Sequence, residues 1–241
     1  LGIKDDSGLE IHNARLSTRN APYTDLVYGR LQRDGYLRRD VQRMVNQGRN
    51  VFGACMVEMG DADGMVTGIT RRFPECYVDV KRVIDVEPGK VPMGYSIVVA
   101  RHGTVFLADT SINETPSPEE LATIARQMAR NARQMGHEPR VAFLSFSNFG
   151  SREIERIDRI RKAIRILQAE KVDFEFDGEM QADMALDYEL LRETYPFCRL
   201  TGPANVLVMP GLHSAHISSR LMQALGGVTV IGPVIDGLHK P

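Results

Sequence analysis

The sequence predicts an α/β protein, and three observations carry that prediction. From Gly94 onward short apolar runs of strand length alternate with amphipathic helical patterns, the signature of layered α/β architecture with parallel pairing. Four of those runs, at residues 105–108, 141–144, 172–176 and 206–209, lead straight into short polar turns at 109–113, 145–151, 177–181 and 210–214. At 241 residues and 43% hydrophobic, the chain can also bury one large core or two modest ones. In an open parallel sheet such turns lie at one edge, where strand carboxyl ends and helix N-termini converge on a ligand crevice. That edge is where function is sought.

Taken in order, the first elements are helical. Leu26, Val27, Arg30 and Leu31, then Val41, Met44 and Val45, keep helical spacing and predict two amphipathic helices. Between residues 51 and 59, Val51, Phe52, Ala54, Cys55, Met56, Val57 and Met59 surround the axis almost completely, which predicts a helix buried on most sides, with Gly60 as its cap. Such a helix needs partners on several sides, and the amphipathic helices before it are expected to cover a neighbouring subunit, so the chain is expected to form a symmetric dimer or larger assembly. A short strand at 65–67 and another helix to Ile84 follow, and Glu87-Pro88-Gly89-Lys90 breaks the pattern before a strand at 95–99. We expect a first subdomain of residues 1–91 plus 228–241, which takes in the final strand, and a second of residues 92–227.

The best-marked helix begins at Ser117, where Pro118 at the first helical position and Glu120 at the third complete a capping box. Its apolar stripe is Leu121, Ile124, Ala125, Met128, Ala132 and Met135, and Gly136 ends it. The next helix, from near Arg152, buries Ile157, Ile160, Ile164 and Leu167. Its charges, Arg152, Glu153, Glu155, Arg156, Asp158, Arg159, Arg161 and Lys162, read as a solvated face.

Composition excludes several classes. A net charge of −1 supplies neither the basic field of a nucleic-acid binder nor a polybasic membrane patch. No run approaches the roughly 18 apolar residues of a membrane span, and the N-terminal six residues lack signal-peptide shape, so a cytoplasmic location is expected. Cys55, Cys76 and Cys198 have no Cys-x-x-Cys spacing and read as free structural thiols. The first residue is not Met and the chain stops just after a strand, which reads as a piece of something longer.

Candidate chemistry lies in the turns. No glycine-rich dinucleotide fingerprint and no Walker loop occurs, so no nicotinamide site is expected in this chain. His213 and His216 are spaced to share a metal, but without an evident third ligand they read better as helix-start hydrogen bonders, and no metal site is assigned. Asp177, Glu179 and Asp183 are spaced either for acid/base work or for helix capping. Ser145, Ser147, Asn148 and Gly150 suit a phosphate-bearing ligand at a helix start, the alternative being an ordinary turn capped by Ser151. Arg71 and Arg72 form a compact basic pair suited to phosphate, or plain surface. Thr110, Asn113 and Gln181 complete the set expected at the crevice.

Together, Ala62-Asp63-Gly64-Met65-Val66-Thr67-Gly68, Phe106-Leu107-Ala108-Asp109, Val141-Ala142-Phe143-Leu144-Ser145-Phe146-Ser147, Asp177-Gly178-Glu179-Met180-Gln181-Ala182-Asp183, Asn205-Val206-Leu207-Val208-Met209-Pro210, and Gly232-Pro233 with Gly237, Lys240 and Pro241 resemble the phosphate acetyltransferase (phosphotransacetylase) family, in order and over nearly the whole chain. The resemblance implies an isocitrate/isopropylmalate-dehydrogenase-like α/β fold of two subdomains, here incomplete at both termini, with a coenzyme A cleft between the subdomains and a homodimer. There are departures. In register with the family's Thr-x-Arg-Pro, whose arginine holds phosphate, this chain has Val78 in the arginine's place; its Pro-Asp-Leu-Asn turn is here Pro210-Gly211-Leu212-His213; and its Asn-Asp-Leu-Ser-Arg-Gly segment is absent.

Those departures, with Ile11-His12-Asn13-Ala14-Arg15-Leu16-Ser17, Tyr195-Pro196-Phe197-Cys198-Arg199-Leu200 and Gly202-Pro203-Ala204, make the chain similar to the C-terminal transacetylase-like domain of large bacterial NADP-dependent malic enzymes. This resemblance implies a regulatory, oligomerising domain without catalytic residues of its own that senses acetyl-CoA through Arg71, Arg72, Thr110, Asn113, Ser145, Ser147, Asn148, Asp177, Glu179 and Gln181. NADP, a divalent metal and the oxidative decarboxylation of malate to pyruvate are then expected on a separate N-terminal portion of the same polypeptide. An active phosphate acetyltransferase and an oligomerisation module without ligand are the alternatives.

Overall fold

The computed structural model describes residues 8, 10–101, 103–151 and 154–241. Arg152 and Glu153 of the predicted charge run, and the six N-terminal residues read for targeting, lie outside the described residues. The chain divides into two compact units, Leu1–Val86 with Leu238–Pro241, and Glu87–Gly237.

The first unit is helical. Tyr23, Val27 and Leu31 recur at the four-residue spacing that puts them on one face of α1 (Asn20–Leu31), and Val41 and Val45 do the same on α2 (Arg38–Gln47). Both faces close on α3 (Arg49–Glu58), whose Val51, Phe52, Ala54, Cys55 and Val57 are buried, and the Tyr23 ring meets Phe52 edge-on at 5.1 Å. The all-round apolar helix therefore finds its partners within its own unit. The amphipathic helices before it cover this core, so α3 creates no demand for a second subunit. α4 (Phe73–Lys81), with Pro74 in its first turn, completes the unit.

No strand forms at 65–67, because no neighbouring strand offers a ladder there. The segment is held by side chains instead, Thr67 Oγ1 donating to Asn50 Oδ1 at 2.6 Å and Arg49 donating to Thr70 Oγ1 at 3.2 Å.

The second unit is a six-stranded sheet, counted among the described residues, with helices on both faces. Its elements are β1 (Met93–Ala100), β2 (Gly103–Ala108), α5 (Pro118–Gln134), β3 (Arg140–Leu144), α6 (Glu155–Glu170), β4 (Glu175–Met180), α7 (Ala182–Leu186), α8 (Tyr188–Thr194), β5 (Val206–Val208), α9 (Leu212–Leu225) and β6 (Val228–Asp236), and the strand order is β4-β3-β5-β2-β1-β6. β2, β5, β3 and β4 run parallel, in register at Phe106↔Val206, Val141↔Val206 and Val141↔Phe176, so the four turn-bearing strands do end at one edge.

Alternation along these strands builds two cores. Phe106, Val141, Phe143 and Val208 pack with α5 and α6, while Leu107, Ala142, Leu144 and Leu207 face the side of α7, α8 and α9. The capping box is formed: Glu120 N donates to Ser117 Oγ at 3.1 Å and Ser117 N to Glu120 Oε2 at 2.7 Å.

In the second unit three strand assignments differ from the sequence reading. β1 and β2 form an antiparallel hairpin rather than a step of the alternation, since the two residues between them are far too few for a parallel crossover. The final strand, β6, pairs with β1 in the second unit instead of joining the first, and Asp236 at its end accepts from Gln127 (3.1 Å) and Asn131 (2.9 Å) of α5. β4 lies at Glu175–Met180, later than the predicted 172–176, so Asp177 and Glu179 stand on a strand rather than in a turn. Ion pairs to Arg199 and Arg161 make that placement possible for two nearly buried carboxylates.

Candidate functional site at the carboxyl edge of the parallel strands

At the end of β2, Asp109 organises the turn. It is buried, and its Oδ1 accepts from Gly94 N at 2.9 Å and Ser111 N at 2.7 Å, while Oδ2 accepts from Asn113 N and Asn113 Nδ2, both at 2.6 Å. The Thr110 hydroxyl donates to Gly94 O at 3.1 Å and Asn113 Nδ2 also donates to Pro92 O at 2.9 Å. Thr110 and Asn113, expected at the ligand, are thus used to hold the turn. Asp109 was missed as a site residue; an aspartate directly after a strand, ahead of free turn N–H groups, is the signal that identifies it.

The ends of β3 and β4 are joined by a second network. Glu179 Oε1 accepts from Gly150 N at 2.9 Å and from the Ser147 hydroxyl at 3.3 Å, and Arg161 of α6 meets both carboxylate oxygens at 3.0 and 3.1 Å. Asn148 Nδ2 donates to Gln181 Oε1 at 3.0 Å, Gln181 N donates to Asn148 Oδ1 at 2.7 Å, and Gln181 Nε2 donates to Phe146 O at 2.9 Å. Ser147, Asn148, Glu179 and Gln181 are therefore brought together as predicted, but mostly satisfy one another. Asp177 is taken up separately, accepting from Arg199 N at 2.8 Å and the Arg199 guanidinium at 2.6 Å.

Electrostatics argue against acid/base work by Glu179. Burial pushes the Glu179 carboxyl up, but the Arg161 hydrogen bonds and the Gly150 N–H outweigh it and hold the group below the usual carboxylate range. Burial also pushes the Cys55 thiol up to about 12 and the Cys198 thiol up to about 11, which keeps both protonated at neutral pH.

What remains open at this edge is a cleft of about 690 Å³. Ser145 is the predicted residue that lines it. The rest of the wall is Phe146 from the same turn, Glu155, Arg156, Ile157, Arg159 and Ile160 from α6, Glu114 and Thr115, and Pro210, Gly211, His213 and Ser214 at the start of α9. Gly211 is required by packing: a Cβ there would sit 2.5 Å from Glu114 O. Arg156, Arg159 and His213 were not chosen from the sequence, because the first two read as members of a solvated charge run. His213 and His216 acquire no further ligand; among the described residues no three metal-ligating side chains converge.

Arg71 and Arg72 belong to the first unit. Asp79 of α4 accepts from Arg82 at 2.8 Å, lies 3.6 Å from Arg71 Nη1 and meets Asn50 at 3.5 Å, so Arg71 is tied to the same carboxylate that supports the 67–72 segment. Arg72 is exposed at the start of α4, and Val78 is half-exposed on that helix. Among the described residues no helix is long and apolar enough to cross a membrane.

Comparison with known proteins gives a consistent picture. Residues 2–241 match the family model described as phosphate acetyl/butaryl transferase. The chain is 54% identical to the NADP-dependent malic enzyme of Rhizobium meliloti over 98% of its own length, but spans 31% of that protein. It is 31% identical to the phosphate acetyltransferase of Clostridium acetobutylicum over 98% of this chain and 73% of that one. Among solved structures, a phosphotransacetylase from Staphylococcus aureus superposes with a TM-score of 0.84 at 29% identity, covering 98% of this chain and 73% of that one.

Proposed function

Because the chain belongs to the phosphate acetyl/butaryl transferase family and has the phosphotransacetylase fold, we propose that it is the C-terminal transacetylase-like domain of an NADP-dependent malic enzyme, binding acetyl-CoA as an allosteric effector and helping to assemble the oligomer. Oxidative decarboxylation of malate to pyruvate, with NADP and a divalent metal, then belongs to a separate portion of the same polypeptide in the cytoplasm. The observation that carries this reading is the 54% identity to a malic enzyme across 98% of the chain, well above the 31% to a phosphate acetyltransferase. Val78 in place of a phosphate-holding arginine supports a domain that has kept the fold without the chemistry.

Titration of the full-length protein with acetyl-CoA, following both heat of binding and malate-dependent NADP reduction, tests it. Acetyl-CoA at a hundredfold its dissociation constant stabilises the folded state by about 2.7 kcal/mol. Arg71→Ala or Arg72→Ala blunts the effect on malate turnover while leaving turnover without effector unchanged, since coupling and chemistry occupy different domains. An unchanged malate rate and no heat of binding would refute the effector reading.

A specific observation favours the assembly part. Ile217, Leu221 and Leu225 are 63%, 56% and 79% exposed, at the four-residue spacing that lays them along one face of α9. They accompany β6, one of the sheet's two edge strands among the described residues, which keeps Ile231 and Val234 exposed. An edge strand beside an apolar stripe suits contact about a two-fold axis, which supports a second copy of the chain as the partner of this face.

A further inference from the structure

The amino edge of the sheet carries a second concave feature. α5 begins beside the carboxyl edge, after β2, and its later turns come back to the amino edge ahead of β3, where the segment entering β4 lies against them. Between them is a groove of about 410 Å³. Its floor is apolar: Ala129 is buried, and Val172 and Phe174 pack against the core under α5 and α6. Its rim is cationic, because Arg126, Arg130 and Arg133 follow one another at helical spacing along one face of α5, which has no acidic residue after Glu120. Like charges at that spacing disfavour a helix, so helix stability does not account for the stripe. The helix dipole favours Arg133 in the last turn, but Arg126 and Arg130 stand further back.

The three arginines are not equally engaged. Arg126 donates to Glu170 at 2.5 Å, and Arg133 donates to Asp173 at 2.8 Å and to Glu138 at 3.0 Å. Arg130 has a single contact, 3.4 Å from Asp236, with its side chain 44% exposed. Asp236 does not depend on it, since Gln127, Asn131 and Gly237 N already donate to that carboxylate at 3.1, 2.9 and 2.7 Å. The Arg130 guanidinium is therefore the member of the stripe free to meet an anion, directly above an apolar floor. Glu170 and Asp173 beside it leave room for one negative charge, which disfavours a phosphoryl dianion and suits a carboxylate.

We propose that this groove binds a small monocarboxylate with an apolar tail, its carboxylate on Arg130 and its tail along Ala129, Val172 and Phe174. The site lies at the opposite edge of the sheet from the turns and shares no residue with those assigned to acetyl-CoA, so it stands or falls independently of the effector reading.

The probe is octanoate, titrated calorimetrically into the full-length protein, with hexanoate, butyrate and octanamide alongside. Octanoate binds, and each methylene removed weakens binding by about two- to fourfold as less tail is taken out of water. Octanamide, uncharged and nearly the same shape, binds about tenfold more weakly or worse. Arg130→Gln lowers octanoate affinity by about tenfold, and Gln134→Glu, which adds a repelling charge to the wall, by about threefold. Both positions are exposed on α5, and unchanged melting temperatures verify the fold of the variants. No octanoate binding, an affinity independent of chain length, octanamide binding as tight as octanoate, or full affinity in both variants overturns the assignment. An acetylated dipeptide ending in a leucine carboxylate is the last arm: tighter binding than octanoate would give the groove to the end of a protein chain and overturn the small-acid reading.

Discussion

Arg161 holds Glu179 through two hydrogen bonds, Nε to Oε2 at 3.0 Å and Nη2 to Oε1 at 3.1 Å, with the carboxylate only 1% exposed. The pair fastens α6 to the end of β4, and through Gly150 N it also fastens the turn after β3. Removing one member leaves the other charge buried and unmatched. Arg161→Ala is therefore expected to lower unfolding free energy by about 3–5 kcal/mol, and Arg161→Met paired with Glu179→Met by much less. Urea denaturation of the unaltered protein, the two single methionine variants and the double variant reads this directly; a double loss equal to the sum of the two single losses would show that the pair is not coupled.

The same carboxylate predicts acid sensitivity, and Asp236 adds to it. For Asp236, burial raises the carboxyl, but hydrogen bonds from Gln127, Asn131 and Gly237 N, with Arg130 nearby, bring it below its usual value. Both folded values lie below the unfolded ones, about 4.3 for Glu and about 3.9 for Asp. Stability is full above those unfolded values and is lost as pH falls through the depressed folded values, because the unfolded chain binds protons first. Melting temperatures followed from about pH 6 to about pH 2 should fall along that window, and Glu179→Gln with Asp236→Asn should flatten the slope.

Asp109 is acceptor-only in a turn that presents it with backbone N–H donors from Gly94, Ser111, Ile112 and Asn113. An asparagine keeps one acceptor oxygen and turns its NH₂ toward donors. Asp109→Asn is expected to cost about 2–4 kcal/mol, as two charge-assisted bonds are lost, and to speed hydrogen exchange at Ser111, Ile112 and Asn113. Exchange unchanged at all three amides would contradict that role.

If α9 is the self-association face, charge on it disperses the assembly. Leu221→Lys should convert the particle to the next smaller species in light scattering at micromolar concentration without lowering its melting temperature by more than a few degrees. An unchanged mass would move the interface elsewhere.

With Val78 on α4, synthesis of acetyl-phosphate from acetyl-CoA and phosphate should stay far below about 10 s⁻¹, a median enzyme rate. Turnover within a factor of ten of that value would favour the catalytic alternative, which the 31% identity to a phosphate acetyltransferase keeps in view.

The sequence by itself determined what repeats along the chain. Continuous apolar runs at residues 105–108 and 141–144 dictated strands with two buried faces, and Ser117 with Glu120 dictated a helix start, because both signals are local. The parallel edge bearing four turns followed from them. What only the tertiary structure decided was which side chains are used up. Thr110, Ser147, Asn148 and Gln181 read as free polar groups, yet each is met by a neighbouring strand or by the turn that leaves it, brought there by pairings that no spacing reveals. Asp177 and Glu179 could be placed on a strand only because Arg199 and Arg161, 22 and 18 residues distant in sequence, reach them. Likewise β6 joined β1 rather than the first unit, since an edge strand takes whichever exposed backbone the fold leaves beside it. Arg156 and Arg159 passed for a solvated helix face until the sheet edge put Phe146 and the start of α9 across from them, because a cleft is made by elements far apart in the chain.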